Sequence, residues 1–267
     1  MNYRSVCFFM LYHKRPEVTR MSMWHMKKVI DRFNAAGHKA QGIVFGDEED
    51  QKRYAEFLGL EHITVANSPL SRKFEIAYTN SLWKDTDYIC KVDSNNFNDF
   101  SYWDKCIEFI KGRKVVTFGT NRFVVVSADK DREATCVFKT RKARHLCNSG
   151  QFYLNYSLRN AVDFSKIYPP RATHNFDGRL NDAIIDKWGD VKLITTLSSS
   201  PKDCFDVKDG TDIHSYDSYI TRSPRVYPKY DKRSKLVLKY KELTLLDQGF
   251  FREECYKTFE PEAELSE

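Results

Sequence analysis

The sequence predicts an α/β fold: one Rossmann-like domain with a mostly parallel central sheet, followed by a basic C-terminal extension. Three observations predict it. Short apolar runs alternate with amphipathic stretches up to Asp93, in a β-α-β-α-β-α-β rhythm. The first of these runs is continuously apolar instead of alternating, as a strand buried on both faces should be. Three runs end in polar or charged turns, at His13-Lys14-Arg15, Asp47 and Asp93, and ligands of doubly wound sheets bind outside such strand ends.

Val6 to Tyr12 is the apolar run that reads as a central strand. Val18, Met21, Trp24, Met26, Val29, Ile30 and Phe33 then recur at three-to-four spacing, a helix from Pro16 to Ala36 that Gly37 stops. Ala40 to Phe45 is the second strand, Glu49 to Leu58 a short helix and His62 to Ala66 the third strand. A turn at Asn67-Ser68-Pro69-Leu70 feeds a helix over Arg72 to Leu82, and Tyr88 to Val92 is the fourth strand. Beyond Asp93 the rhythm changes. Trp103 to Ile110 reads as helical, Lys114 to Phe118 and Arg122 to Ser127 as paired strands, and Cys147 to Leu154 as a strand. Leu158 to Phe164 and Asp177 to Trp188 read as helices and Val191 to Thr195 as a late strand. Thr221 to Tyr240 is polar, basic and proline-containing, with a short helix and an acidic tail after it. The division that follows is an α/β domain over 1–215 and an extension over 216–267 packed on it.

With 267 residues, 41% of them apolar and 30% charged, the chain can bury one sizeable core. The seven cysteines are scattered without a CxxC pair, which argues for reduced thiols and against a structural zinc site. The apolar start is too short to span a bilayer and lacks a cleavage site, so a protein without a transmembrane segment, in a cytoplasm, is expected. The net charge is +6, but six Glu and one Lys crowd the last 15 residues, leaving +11 on the remainder. Such a body suits anionic substrates or a polyanionic partner.

Four constellations carry chemistry. Asp93, with a second oxygen ligand two residues on at Asn95, can present both to one Mg²⁺ or Mn²⁺ that also takes diphosphate oxygens; Asp-Ser-Asn-Asn is equally an ordinary turn composition. Arg72 and Lys73 open a helix, where cations beside free N–H groups suit a pyrophosphate, or form a solvated first turn. In Asp206-Val207-Lys208 through Ile213-His214, a His and an Asp stand on one loop as metal and phosphate contacts, a lone His being structural otherwise. Asp177 and Asp182 open another helix. Asp177 either caps it or, like Asp182, accepts the proton of an attacking hydroxyl.

In this order the motifs resemble the GT-A glycosyltransferases, in particular short phage-type members, over roughly residues 5 to 215. His13-Lys14-Arg15-Pro16-Glu17 looks like the family's first nucleotide-binding loop, and Asn67 to Phe74 is similar to its N-x-P-L-x-x-K region. Asp87 to Asn95 sits where the family carries D-Y-V…D-x-D, with Asn95 in place of the second Asp. The resemblance implies a UDP-sugar donor bound by His13, Arg15, Asp47, Arg72, Lys73, Asp93 and Lys208, and a Mn²⁺ or Mg²⁺ ion held by Asp93, Asn95 and His214. It also implies a hydroxyl acceptor. Two basic runs, Lys139-His145 and Arg222-Lys241, the second interleaved with tyrosines, suggest double-stranded DNA. Phage-type relatives glycosylate 5-hydroxymethylated pyrimidines in phage DNA, which would place the protein in a host cytoplasm and the flipped base in its site. Other readings are transfer to a cell-surface polysaccharide or lipopolysaccharide, a non-catalytic DNA-binding protein on the same fold, and a nucleotidyltransferase.

Overall fold

The computed structural model describes residues 3–82, 84–112, 115–127, 136–139, 145–147, 149–170, 176–189, 194–198 and 204–208. Residues 1–124 with 137–206 form one compact unit, and residues 125–136 with 207–267 a second. The first unit opens with β1 (Ser5–Leu11), α1 (Pro16–Ala35), β2 (Lys39–Gly46), α2 (Glu49–Phe57), β3 (Glu61–Thr64), α3 (Leu70–Leu82) and β4 (Tyr88–Asp93), as the periodicity predicts. After these come β5 (Asn96–Phe97), α4 (Phe100–Gly112), β6 (Thr117–Thr120), β7 (Arg122–Ser127) and β8 (Cys136–Lys139). The remaining elements are β9 (Gln151–Leu154), α5 (Asn155–Ala161), α6 (Phe164–Ile167), α7 (Phe176–Trp188), β10 (Ile194–Ser198) and β11 (Phe205–Lys208).

A seven-stranded sheet runs in the order β10-β6-β9-β4-β1-β2-β3. β1 is parallel to both β2 and β4, and β9 is antiparallel to β4 and β6. The chain winds outward from β1 to β3 and then returns to the other side of β1. That reversal is a topological switch point, with a crevice where β1 and β4 end side by side and Leu11 lies opposite Asp93.

Alternation along β1 explains how two helical layers are held. Phe8 meets Phe33 of α1 at 5.1 Å and Trp103 of α4 at 5.8 Å. Its neighbour Phe9 faces the opposite way and meets Tyr78 of α3 at 4.9 Å. Val6 through Met10 have no solvent exposure, and each large apolar side chain so buried contributes about 1.5–3 kcal/mol. Gly37, at a φ of 87°, ends α1 in the left-handed region where glycine bears no steric penalty.

Several elements differ from expectation for local reasons. Lys114–Phe118 and Arg122–Ser127 do not form a hairpin: β6 starts at Thr117 and lies between β10 and β9. Phe118 stacks on Phe152 of β9 at 4.5 Å, a contact that a pairing of β6 with β7 would not provide. The strand expected from Cys147 begins only at Gln151, because Gly150 turns the chain at a φ of 71°. The helix expected over Leu158 to Phe164 is split into α5 and α6, since Asp163 caps α6 by accepting the Ser165 N–H. β10 lies later than Val191 to Thr195, and β11 occupies a stretch read as a loop. Its Asp206 lies opposite Asn96 of β5 in an antiparallel pair. The stretch 221–240 and all that follows lie outside the described residues. Among the described residues no helix is long and apolar enough to cross a membrane.

Candidate functional site

Three strand ends build the site. Past β1 the chain continues as Tyr12, 1% exposed, whose N–H still donates to Phe45 of β2. Lys14 and Arg15 then both take left-handed φ values, 55° and 52°, before Pro16 begins α1. For residues with a Cβ this conformation costs roughly 1 kcal/mol each, strain of the kind that collects at functional sites. Its result is a reversal that throws Arg15 across the switch point, where Nη2 donates to Ser94 Oγ at 3.1 Å. The first and fourth strand ends are thereby joined by a cation. Glu48, after β2, secures the same turn: its Oε1 accepts the Lys14 N–H at 2.6 Å and lies 3.2 Å from His13 Nδ1. His13, Asp47 and Glu48 have ligand atoms within 4.8 Å of one another. Asp47 itself is exposed, as a ribose or base contact would need to be.

Lys73 works from beneath. It is 1% exposed, and its Nζ donates to the Tyr12 carbonyl oxygen and, at 3.3 Å, to Asn67 Oδ1. Burial lowers its pKa to about 8, against the opposing pull of Glu48 and Asp47. The sequence assigns Lys73 to a phosphate; in the structure its hydrogen bonds go to the protein, and it braces the β1 exit. Arg72, assigned the same role, is exposed and paired with Glu75 at 2.7 Å, as expected of a first-turn cation with an acid three residues on.

At the end of β4, Asp93 is 26% exposed and forms an ion pair with Lys91, which is 2% exposed. The Lys91 ammonium also sits 5.3 Å from the centre of the Phe74 ring. Asn95 Nδ2 donates to Asp206 Oδ1 at 2.8 Å, and the Asp93 N–H to Ser149 Oγ at 3.3 Å. A divalent ion on Asp93 would stand within a few ångströms of an ammonium that has little route to solvent. Two unit charges 4 Å apart interact by about 4 kcal/mol at an effective dielectric of 20, and a dication doubles this. With Lys91 in place, Asp93 and Asn95 do not fit a divalent cation; His214, the third expected ligand, lies outside the described residues.

Lys91 is the site residue that the sequence reading passed over. Its signal was a lysine inside an otherwise apolar central strand, since a lysine is almost never fully buried unless paired.

The acceptor-side candidates lie on α7. Asp177 is its second residue, inside the helix and not at a cap. Asp182 is not a lone carboxylate: its Oδ1 is 3.0 Å from His145 Nε2. β4 and β6 are both antiparallel to β9, so their ends and the start of β9 share one edge of the sheet. The Cys147 N–H donates to the Thr120 carbonyl at the end of β6, which places neighbouring His145 at the edge that carries Asp93. Lys208 ends β11. Within the basic runs, 140–144 and 222–241 lie outside the described residues.

Cysteine chemistry is absent from the described edge. Cys7, Cys90, Cys106, Cys147 and Cys204 are buried and outside any disulfide, and burial pushes the Cys7 thiol up to about 12 and raises Cys90 and Cys204.

No family model and no curated protein matches the chain. Solved structures do. The chain is similar to residues 1–349 of S. aureus TarS, with a TM-score of 0.52 and 10% identity over 76% of this chain and 60% of that one. It is similar to a longer S. aureus TarS structure, with a TM-score of 0.52 and 11% identity, covering 76% of this chain and 36% of that one. The 1–349 structure in complex with UDP matches with a TM-score of 0.50 and 10% identity over the same shares, 76% and 60%. The chain therefore spans less than two thirds of the length of each. The likeness shows the fold, a GT-A-like arrangement of the mostly parallel sheet.

Proposed function

We propose that the chain is a glycosyltransferase that holds a nucleotide-activated sugar, a UDP-sugar, across the crevice between β1 and β4 and moves the sugar to a hydroxyl group. One observation carries the reading: Arg15 bridges the two strand ends at Ser94, in the fold of a protein whose structure contains UDP. The donor diphosphate lies against the N-terminus of α1, a helix of 20 residues, where free N–H groups and the macrodipole favour an anion. Arg15 and Lys14 supply fixed positive charge there, and Lys73 keeps their turn in shape. Asp47 faces the ribose or base.

In the transfer, the bond between the anomeric carbon and the phosphate oxygen breaks, and the diphosphate leaves with its electron pair. A new bond forms to the acceptor oxygen. For an inverting transfer the hydroxyl proton passes to His145 Nδ1, while Nε2–H donates to Asp182, which stabilises the imidazolium. The acceptor we propose is polyanionic, in keeping with the +11 carried outside the acidic tail. 5-Hydroxymethylcytosine in duplex DNA is one such acceptor, and an anionic surface polysaccharide is the other.

The test is a thermal-shift screen of nucleotides and nucleotide sugars, followed by transfer to both acceptors. A UDP-selective shift and sugar transfer without pyrophosphate release are expected. Pyrophosphate release from a nucleoside triphosphate would identify a nucleotidyltransferase instead. Equal labelling of hydroxymethylated and unmodified DNA would remove the hydroxymethyl group as nucleophile.

A further inference from the structure

We infer that Lys91, paired with Asp93 at the end of β4 and buried against Phe74, takes the place of a divalent cation, so that the donor binds without a metal ion. The inference rests on the glycosyltransferase reading and adds what neutralises the diphosphate. It begins from charge. A dication held by two carboxylates is neutral as a unit; two carboxylates with two fixed side-chain cations are neutral too. Asp93 and the buried Asp206, with Lys91 and Arg15, form that second set.

The geometry supports the exchange. Lys91 is 2% exposed whereas Asp93 is 26% exposed, so the ammonium lies behind the carboxylate and the carboxylate faces the crevice. The same face of β4 places Ile89 in the apolar core beneath, and Lys91 rises from that core beside the Phe74 ring. An ammonium so placed cannot step aside into water to admit an ion. Asn95 donates from its amide nitrogen to the buried Asp206 carboxylate, and as a neutral side chain it adds no negative charge where an aspartate at this position would. Arg15 reaches Ser94, the residue between them, and adds a second fixed cation at the same strand end. Asp93, held by Lys91, is left to accept hydrogen bonds from sugar or ribose hydroxyls, a role that needs no ion.

Two measurements test this. Mn²⁺ uptake is followed by electron paramagnetic resonance on the wild type, Asp93→Asn, Lys91→Met and the double variant, without nucleotide. UDP binding is measured by calorimetry in EDTA and in Mn²⁺. We expect no Mn²⁺ site on the wild type that Asp93→Asn removes, and UDP affinity that changes by less than about twofold between the two buffers. Lys91→Met frees Asp93, so Mn²⁺ should then bind and should strengthen UDP binding by about tenfold or more. Wild-type Mn²⁺ uptake that disappears in Asp93→Asn overturns the inference, and that comparison leaves Lys91 untouched, so it holds even if the Lys91 variant fails to fold. Should UDP bind in neither buffer, the donor reading falls, while the Mn²⁺ arm still decides the occupant of Asp93.

Discussion

Replacing Lys73 with Met removes one buried charge and keeps the length of the side chain. The wild-type amine has its pKa lowered from 10.5 to about 8, chiefly by burial. In the unfolded chain it returns to about 10.4. Here the folded value lies below the unfolded one, the reverse of a lysine that gains a partner. Between the two values the unfolded chain binds more protons than the folded one, so folding stability rises with pH across that window. Each pKa unit is worth about 1.4 kcal/mol, so the whole window is worth about 3 kcal/mol. Methionine carries no proton, and the other titrating groups are common to both proteins. The difference in unfolding free energy, wild type minus Lys73→Met, isolates this amine. Urea unfolding at intervals from pH 7 to 10.5 should give a difference that is flat below pH 8 and then rises by about 3 kcal/mol in favour of the wild type. A difference independent of pH, or one that falls, would show that Lys73 is not the desolvated ammonium under the β1 exit.

Three further outcomes are expected. Gly46→Ala puts a Cβ 2.3 Å from the Tyr12 ring, which is packed and held at its hydroxyl by His62 at 2.8 Å. Overpacking there should cost about 1–3 kcal/mol, read as a lower midpoint in thermal or denaturant unfolding. Arg15→Gly relieves a left-handed residue but loses the bond to Ser94, so stability should stay within about 1 kcal/mol. Calorimetric UDP affinity should nonetheless fall by roughly tenfold or more, since a charged group is lost from the diphosphate. Unchanged affinity would remove Arg15 from the site. His145→Asn should lower the transfer rate by about 10²–10⁴ with donor affinity unchanged. An unchanged rate would make the His145–Asp182 pair structural.

The first half of the fold was legible because β1 is apolar from Val6 to its end and α1 is periodic over five turns. Both signals are local. What followed Asp93 was not, and Phe118 shows why. Its place is set by stacking on Phe152, a residue 34 positions away, so no property of its own segment distinguishes a hairpin from a strand in the large sheet. The site divides in the same way. Residues at strand ends, Arg15 and Asp93, could be named from sequence because topology alone puts strand ends together. Lys73 could be named but not aimed, since whether a lysine faces ligand or protein depends on the burial of its helix face. Asp182 could be named but not paired, because His145 lies 37 residues before it, beyond the reach of any spacing rule.

Lys91 joins these two levels. Counting by twos along β4 from Ile89, which belongs to the core under α3, puts Lys91 on the same face and therefore under Phe74. Counting by twos again reaches Asp93, whose exposure marks where the core gives way to the crevice. A cation one step inside the last core layer cannot be solvated from outside, so it needs an anion at the very next position on its face. The sequence supplies one there, and the carboxylate that reads as a metal ligand is also the counter-ion that allows Lys91 to be buried. Removing Asp93 therefore has two separable consequences: it takes one carboxylate from the crevice and takes from the buried ammonium the carboxylate it is paired with. Asp93→Asn should lose about 3–5 kcal/mol of stability if the pair is as buried as Lys91, and less in proportion to the exposure of Asp93. A variant as stable as the wild type would mean that Lys91 finds its compensation elsewhere and that Asp93 is held for the ligand alone.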